Sequence, residues 1–239
     1  MRLRPFLAAG LVAGLLCNLN QAEAQAQFGV RAGANFSNVI SKDPDGNKAD
    51  FILNPGFHVG ATVDIAIADE FALQPGLLFT QKGFQSEVIT PEVTTASTAT
   101  SHHFEVPVNF IYKPELGGGK LLLGAGPYIA YGVGGRFIRT LKRWSKPVED
   151  ADPIILTNKE NIRLQFLEDA SDQDANKIRY SKPLDYGASL LAGYELKGKY
   201  SAQLNAQLGL ANLEPTLNGS NTGSKFKNVG FGISLGYRF

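Results

Sequence analysis

The sequence predicts an all-β fold, an eight-stranded antiparallel up-and-down transmembrane β-barrel, on three observations. Apolar residues alternate with small or polar ones in eight separate segments, the period-two signature of strands with two unlike faces. The connections between these segments are alternately long and short, as in barrels with brief periplasmic turns and longer external loops. Aromatic residues on the apolar faces gather at the strand ends, the level at which amphipathic rings meet a membrane interface.

The N-terminus is set aside first. Arg2 and Arg4 precede an apolar run from Phe6 to Leu16, and Ala22-Glu23-Ala24 or Ala24-Gln25-Ala26 offers a small-x-small cleavage site, so residues 1–24 read as a secretory signal peptide cleaved near 24–26. The run is too short to span a bilayer, which takes about 20 apolar residues. Cys17 follows Leu16, where a lipidation motif wants a small residue. Without Arg2, Arg4 and Glu23, the remaining chain carries 21 basic and 21 acidic side chains and no cysteine. Disulfides and thiolate metal sites are excluded from it, and its neutrality argues against a nucleic-acid partner. Residues 25–239 form the expected barrel domain.

Along the chain, the first strand sets Phe28, Val30, Ala32, Ala34 and Phe36 against Gly29, Arg31, Gly33, Asn35 and Ser37. After a turn-rich stretch, the second sets Phe57, Val59, Ala61, Val63 and Ile65 against Gly56, His58, Gly60, Thr62 and Asp64. A tight hairpin at Ala68-Asp69 leads to the third, with Phe71, Leu73, Leu77 and Phe79 opposite Gln74, Thr80 and Lys82, interrupted by Pro75 and Leu78. Residues 84–101 are Thr-rich and read as a loop. The fourth strand opposes Phe104, Val106, Val108, Phe110 and Tyr112 to His103, Glu105, Pro107, Asn109 and Lys113; the fifth runs from Leu121 to Val133. A long external loop, 134–182, precedes the sixth strand, where Tyr186 to Tyr194 oppose Asp185 to Glu195. The turn at Lys197-Gly198 leads to the seventh, Tyr200 to Leu210. The last, Val229 to Phe239, puts Gly230, Gly232, Ser234, Gly236 and Arg238 on its other face.

The parity decides between two kinds of barrel. A soluble, lipocalin-like binder would turn its apolar residues inward, and the opposite set here, Gly, Asn, Ser, Gln and charges, would then have to face water. With the apolar set facing lipid, two aromatic girdles emerge: Phe28, Phe71, Tyr112, Tyr194, Tyr200, Tyr237 and Phe239 at the periplasmic ends, and Phe36, Phe57, Phe79, Phe104, Tyr131 and Tyr186 at the outer ends. Scatter by β-propensity alone would not sort them by height.

The pieces FGVRAGANFS, FEVPVNFIYKP, GAGPYIAYG and GFGISLGYRF resemble the PorT-like outer-membrane β-barrel family of Bacteroidetes, barrels of the OmpA/OmpX type. The resemblance implies an eight-stranded barrel in the Gram-negative outer membrane, inserted by the barrel assembly machinery, which recognises a final strand ending in an aromatic residue. Tyr237 and Phe239 would carry that signal. The family takes its name from a member associated with a protein-secretion system, which makes a secretion accessory one reading of this chain, although most relatives have no assigned activity. Loop 134–182 is the main departure from the pattern.

The candidate chemistry lies in three places. The lumen of an eight-stranded barrel is only wide enough for side chains to fill, so Arg31, Lys82, Lys113, Arg238, His58, Asp64, Glu105, Asp185 and Glu195 are expected to neutralise one another there, with Arg31–Glu105 as the central pair. This is either a structural plug or a gated polar pathway. At the outer rim, His102 and His103 lie near Ser97, Ser101 and Glu105, which raises the alternative of a lipid-modifying hydrolase with a histidine-activated serine; adjacent strand residues point to opposite faces, so the two histidines do not form a metal pair. Asp43–Asn47 and Asp172–Asn176 echo the spacing of calcium loops but lack the distal glutamate. No metal or cofactor is expected. Loop 134–182 begins basic, with Arg136, Arg139, Lys142, Arg143 and Lys146 around Trp144, and ends acidic. It reads either as an interaction platform centred on Arg139, Arg143 and Trp144, for a surface protein or the phosphates of lipopolysaccharide, or as a solvated hairpin extension with one helical turn after Asn158. The expectation is a monomeric, non-enzymatic barrel among outer-membrane lipids, presenting its loops for interaction or envelope integrity.

Overall fold

The computed structural model describes residues 26–145, 154–174 and 176–239, so the expected signal segment lies outside the described residues. One sheet of twelve strands makes up the fold. Eight of them close a circuit: β1 (Gln27–Lys42), β2 (Ile52–Ala68), β3 (Phe71–Ile89), β4 (Val93–Tyr112), β5 (Gly119–Ser145), β6 (Leu184–Leu196), β7 (Tyr200–Gly209) and β8 (Lys225–Arg238). Each pairs antiparallel with the next, and β8 pairs with β1 from Gly29↔Arg238 to Lys42↔Lys225. Such closure satisfies the backbone of every strand from within the sheet, which strands surrounded by hydrocarbon require. No helix among the described residues is long and apolar enough to cross a membrane.

Burial follows the alternation. Leu190, Leu204 and Leu235 are 61%, 61% and 68% exposed, whereas Glu105, Asp185 and Ser234 are each 1% exposed. The wall is therefore apolar outside and polar inside, the reverse of a water-soluble barrel. An uninterrupted apolar exterior of this extent would not persist in water and calls for a lipid covering. Aromatic rings mark both rims. Phe36–Phe231, Phe57–Phe79 and Phe79–Phe104 lie 5.5, 6.0 and 5.8 Å apart at one. Phe71–Tyr112, Tyr200–Tyr237 and Tyr237–Phe239 lie 5.0, 5.3 and 5.4 Å apart at the other. The start of β1, the end of β8 and the short turns share this second rim. The turn between β6 and β7 places Lys197 and Gly198 at φ 52° and 67°, the left-handed pair that matches hairpin twist.

Four further strands depart from the expected count. Lys48–Ala49 pairs with β1 and Glu115–Leu116 with β5. Ile154–Gln165 pairs antiparallel with the end of β5, and Lys177–Arg179 adds to it in parallel, a departure from all-antiparallel order. Residues 84–101, expected as a loop, are strand: β3 and β4 stay paired up to Ile89↔Thr94 around a turn at Thr90. The threonines that look loop-like are β-branched and suit a pleated surface. The helical turn expected after Asn158 is likewise strand, and a 3-10 turn occurs instead at Ala170–Asp172, where Asp169 accepts from the Ser171 N–H. The ends of β3, β4 and β5 and segment 154–165 thus form a sheet rising beyond the outer rim.

Two glycines let aromatic rings lie flat on the inner wall. A Cβ at Gly187 would stand 2.2 Å from the Leu208 carbonyl oxygen and 2.8 Å from the Tyr128 ring, and one at Gly132 would stand 2.3 Å from Phe166. Gly187→Val is expected to lower stability by about 1–3 kcal/mol through overpacking, read as a lower urea midpoint in detergent micelles. Gly118→Val, with nothing within 4 Å of its Cβ, should leave the midpoint unchanged.

Candidate functional site

The lumen is built from the inward-facing positions of all eight circuit strands, and its charges fall into two clusters. At the terminus end, Asp64 on β2 accepts hydrogen bonds from Lys113 at 2.8 Å, Arg238 at 2.9 Å and Gln74 at 2.8 Å. Glu195 completes this cluster, 3.6 Å from Lys113 and in direct contact with Arg238. Arg238 also donates to the Gly198 carbonyl, tying the C-terminal strand to the β6–β7 turn. A cavity of about 310 Å³ opens from here toward the terminus rim.

Toward the other end, Lys82 on β3 lies 2.9 Å from Glu105 and 3.9 Å from Asp185, with its ammonium 4.6 Å from the Tyr128 ring centroid. Gln207 donates to Glu105, and Asn228 donates to Asp185 at 2.9 Å. Between the clusters, Arg31 donates to Gln203 at 3.3 Å, His58 meets Ser234 at 2.8 Å, and Ser189 donates to Asn109 at 2.7 Å. The expected Arg31–Glu105 pair is not formed: Glu105 takes Lys82 from the neighbouring strand, where Leu78↔Glu105 sets the register, and Arg31 takes a neutral amide. Four cations and four carboxylates nevertheless share the lumen. The cavity left among the middle residues is about 50 Å³, room for a few water molecules.

Beyond the Lys82 cluster, an apolar group covers the opening. Val39, Ala99, Leu164, Tyr180, Leu213 and Phe226 pack together with Phe84 and Phe166 against them. Tyr180 stacks on Phe84 at 6.2 Å and meets Phe166 and Phe226 edge-on at 5.4 and 5.9 Å. Residues 166–174 and 176–183 lie at the mouth, joined to each other by Leu167 N–H donating to the Ser181 carbonyl and to the chain before β8 by Lys182 N–H donating to the Leu213 carbonyl. Outside the mouth, Asp169 binds the Thr216 hydroxyl and the Asn218 and Gly219 amides. The hydroxyl and amide of Ser171, with the Gly219 amide and the Thr216 hydroxyl, hold its carboxyl well below the usual carboxylate range. The composition of this cover was not legible in the sequence, where its members are scattered over five segments.

The rim histidines separate. His103 faces inward and meets the Ser101 hydroxyl at 3.0 Å, but Ser101 is fully buried and donates to the Lys82 carbonyl oxygen. Phe166 lies edge-on to the His103 ring, whose Nδ1 has no hydrogen-bond partner among the described residues. Glu105 is engaged by Lys82 and Gln207. Among the described residues no carboxylate orients this histidine, and the serine faces the lumen instead of a lipid substrate, so the pair lacks the parts of an acyl-transfer site. His102 points outward and stacks on Phe79. In the first calcium-like segment both Asp43 oxygens are taken by Asn47; the second is the 3-10 turn and its exit, with Asp174 paired to Lys177. Of the expected loop surface, Arg139 pairs with Glu160 at 3.5 Å, Arg143 is exposed, and Trp144 contributes its backbone to the β5 pairing.

Lys82 is the only cation within ion-pair distance of Glu105 and Asp185 among the described residues. Lys82→Met is expected to cost about 3–5 kcal/mol by leaving buried carboxylates uncompensated, measured as a shift in the urea unfolding free energy in micelles. Adding Glu105→Gln to it should recover a large part of that loss.

The family described as outer membrane protein beta-barrel domain matches residues 3–214. No curated protein matches the chain in sequence. Among solved structures, Ail, the attachment invasion locus protein of Yersinia pestis, in complex with the heparin analogue sucrose octasulfate, is 12% identical, covering 90% of this chain and 99% of Ail, with a TM-score of 0.38. OprG from Pseudomonas aeruginosa is 16% identical over 92% of this chain and 98% of its own, with a TM-score of 0.37. Neisserial surface protein A is 10% identical over 89% and 97%, with a TM-score of 0.36. The family match spans most of the chain, which therefore belongs to the outer membrane protein beta-barrel domain family and is a multi-pass protein of the Gram-negative outer membrane.

Proposed function

We propose that the chain is a monomeric, non-enzymatic, eight-stranded barrel whose lumen is plugged by its own side chains and whose external sheet is the part that meets partners. The filling of the lumen carries this reading. Its charges balance, the cavity among them holds only a few waters, and the apolar cover lies over the outer opening. A plugged barrel has its wall and its loops left to work with, and the largest loop feature is the rising sheet of β3, β4, β5 and segment 154–165. Arg139, Arg143 and Trp144 lie on that sheet and are offered as contacts for a surface protein. A stable wall with presented loops suits interaction or envelope integrity.

Residues 1–24 would direct export, and Tyr237 and Phe239 would address the chain to the barrel assembly machinery. Phe239 supports the latter role: its N–H pairs with the Phe28 carbonyl and its ring stays 72% exposed at the terminus rim. The PorT-like resemblance fits this architecture and assigns no secretion step to any residue described above.

The test is reconstitution into planar bilayers of protein that migrates heat-modifiably on gels. The expected outcome is a folded band that shifts on boiling and a membrane without discrete conductance steps. Steady conductance from heat-modifiable protein would overturn the plug, and identical migration before and after boiling would overturn the barrel.

A further inference from the structure

We infer that the exterior face of the rising sheet binds the phosphate groups of an outer-leaflet glycolipid through Arg136, Lys142, Lys159 and Arg163. A bulge creates this face. His102 on β4 pairs with Gly134 and His103 with Gly132, so Val133 is the extra residue. Below the bulge the odd-numbered residues of β5, Tyr131 and Val133, face outward; above it the even-numbered ones do. Arg136 and Lys142 thereby join the face that carries Phe79, His102 and Phe104, while Phe137, Arg139 and Leu141 turn to the inner side. Segment 154–165 continues the arrangement: Arg163 sits directly opposite Arg136, Lys159 opposite Thr140, and Thr157 opposite Lys142.

Four cations on two adjacent strands need an anion. Directly opposed residues have Cβ atoms about 5 Å apart, and like charges there are destabilising, so Arg136 and Arg163 repel unless something negative lies between their guanidinium forks. Inside the sheet such charges are answered: Arg139 has Glu160. On the exterior face none of the four is in an ion pair among the described residues, and all four are exposed. Among the described acidic residues near this face, Glu87 is opposite Ala96, three strands from segment 154–165 with β5 and β4 between, and Asp174 is taken by Lys177, the residue opposite Arg163.

Position names the occupant. The stripe continues the lipid-facing wall upward, beginning five residues beyond Tyr131 of the outer girdle, roughly 12 Å higher for a rise of about 3.3 Å per residue and a tilt near 40°. Whatever sits against it stands beside the barrel with its apolar part at the Tyr131–Phe104 level, as a lipid molecule does. Paired guanidiniums suit the bidentate geometry of phosphate, and Lys142 and Lys159 add charge for a headgroup bearing more than one.

The inference rests on the barrel reading above. Its test titrates fluorescently labelled lipopolysaccharide against the folded full chain in detergent micelles by anisotropy. Arg136→Glu with Arg163→Glu should weaken binding by about tenfold or more, while Lys120→Glu at the opposite rim should not. Dephosphorylated lipopolysaccharide should bind the unaltered protein as weakly as the intact lipid binds the variant. Equal binding by variant and unaltered protein would overturn the inference, as would complete displacement by inorganic phosphate, which would mark a free-anion site. Should the glutamate pair fail to give a heat-modifiable band, Arg136→Gln with Arg163→Gln carries the same test. Loss of that band in the unaltered protein would instead fault the barrel.

Discussion

One constraint governs the interior: a closed ring of strands with an apolar outside leaves its polar side chains facing one another across a narrow lumen. Charges in that space are costly unless they meet opposite charges and further hydrogen bonds. The two clusters, Asp64–Lys113–Glu195–Arg238 and Lys82–Glu105–Asp185, meet that requirement from different strands. They therefore cross-link the ring from within. Arg238 extends the effect to the chain end, joining the last strand to the β6–β7 turn and to β2 at once.

The same narrowness explains the inward glycines. Tyr128 and Phe166 occupy the lumen only because Gly187 and Gly132 offer bare backbone for their rings to lie on. Tyr128 then gives Lys82 a π-face and Asp185 a hydroxyl donor at 3.4 Å, while Phe166 joins the polar wall at His103 to the apolar cover around Tyr180. Side-chain filling and outer cover are one continuous packing problem.

Much of this was legible in the sequence, because alternation reports which face each residue takes and a one-residue error would invert a whole strand. Arg31, His58, Asp64, Glu105, Asp185, Glu195 and Arg238 all occupy the lumen for that reason. What alternation does not report is height across the ring, so the partner of Glu105 had to come from the register of β3 against β4. Strand length beyond the girdles was also hidden, since Thr94, Thr95 and Thr98 read equally as loop or as pleat. The bulge at Val133-Gly134 was the costliest omission. By exchanging parity within β5 it sets Arg139 beside Glu160 on the inner side and turns Arg136 outward, so part of the exposed basic surface falls on residues that unbroken alternation would have buried.

The apolar face of the ring meets lipid and the charged face does not. Because Cys17 is the chain's single cysteine and lies in the expected leader, single-cysteine variants of the remaining chain take one label each. Bimane attached at Leu204→Cys or Leu235→Cys, in bilayers with brominated acyl chains, should be quenched strongly, while the neighbouring positions Gln203→Cys and Ser234→Cys should not. Quenching at Gln203 and Ser234 with protection at Leu204 and Leu235 would contradict the account.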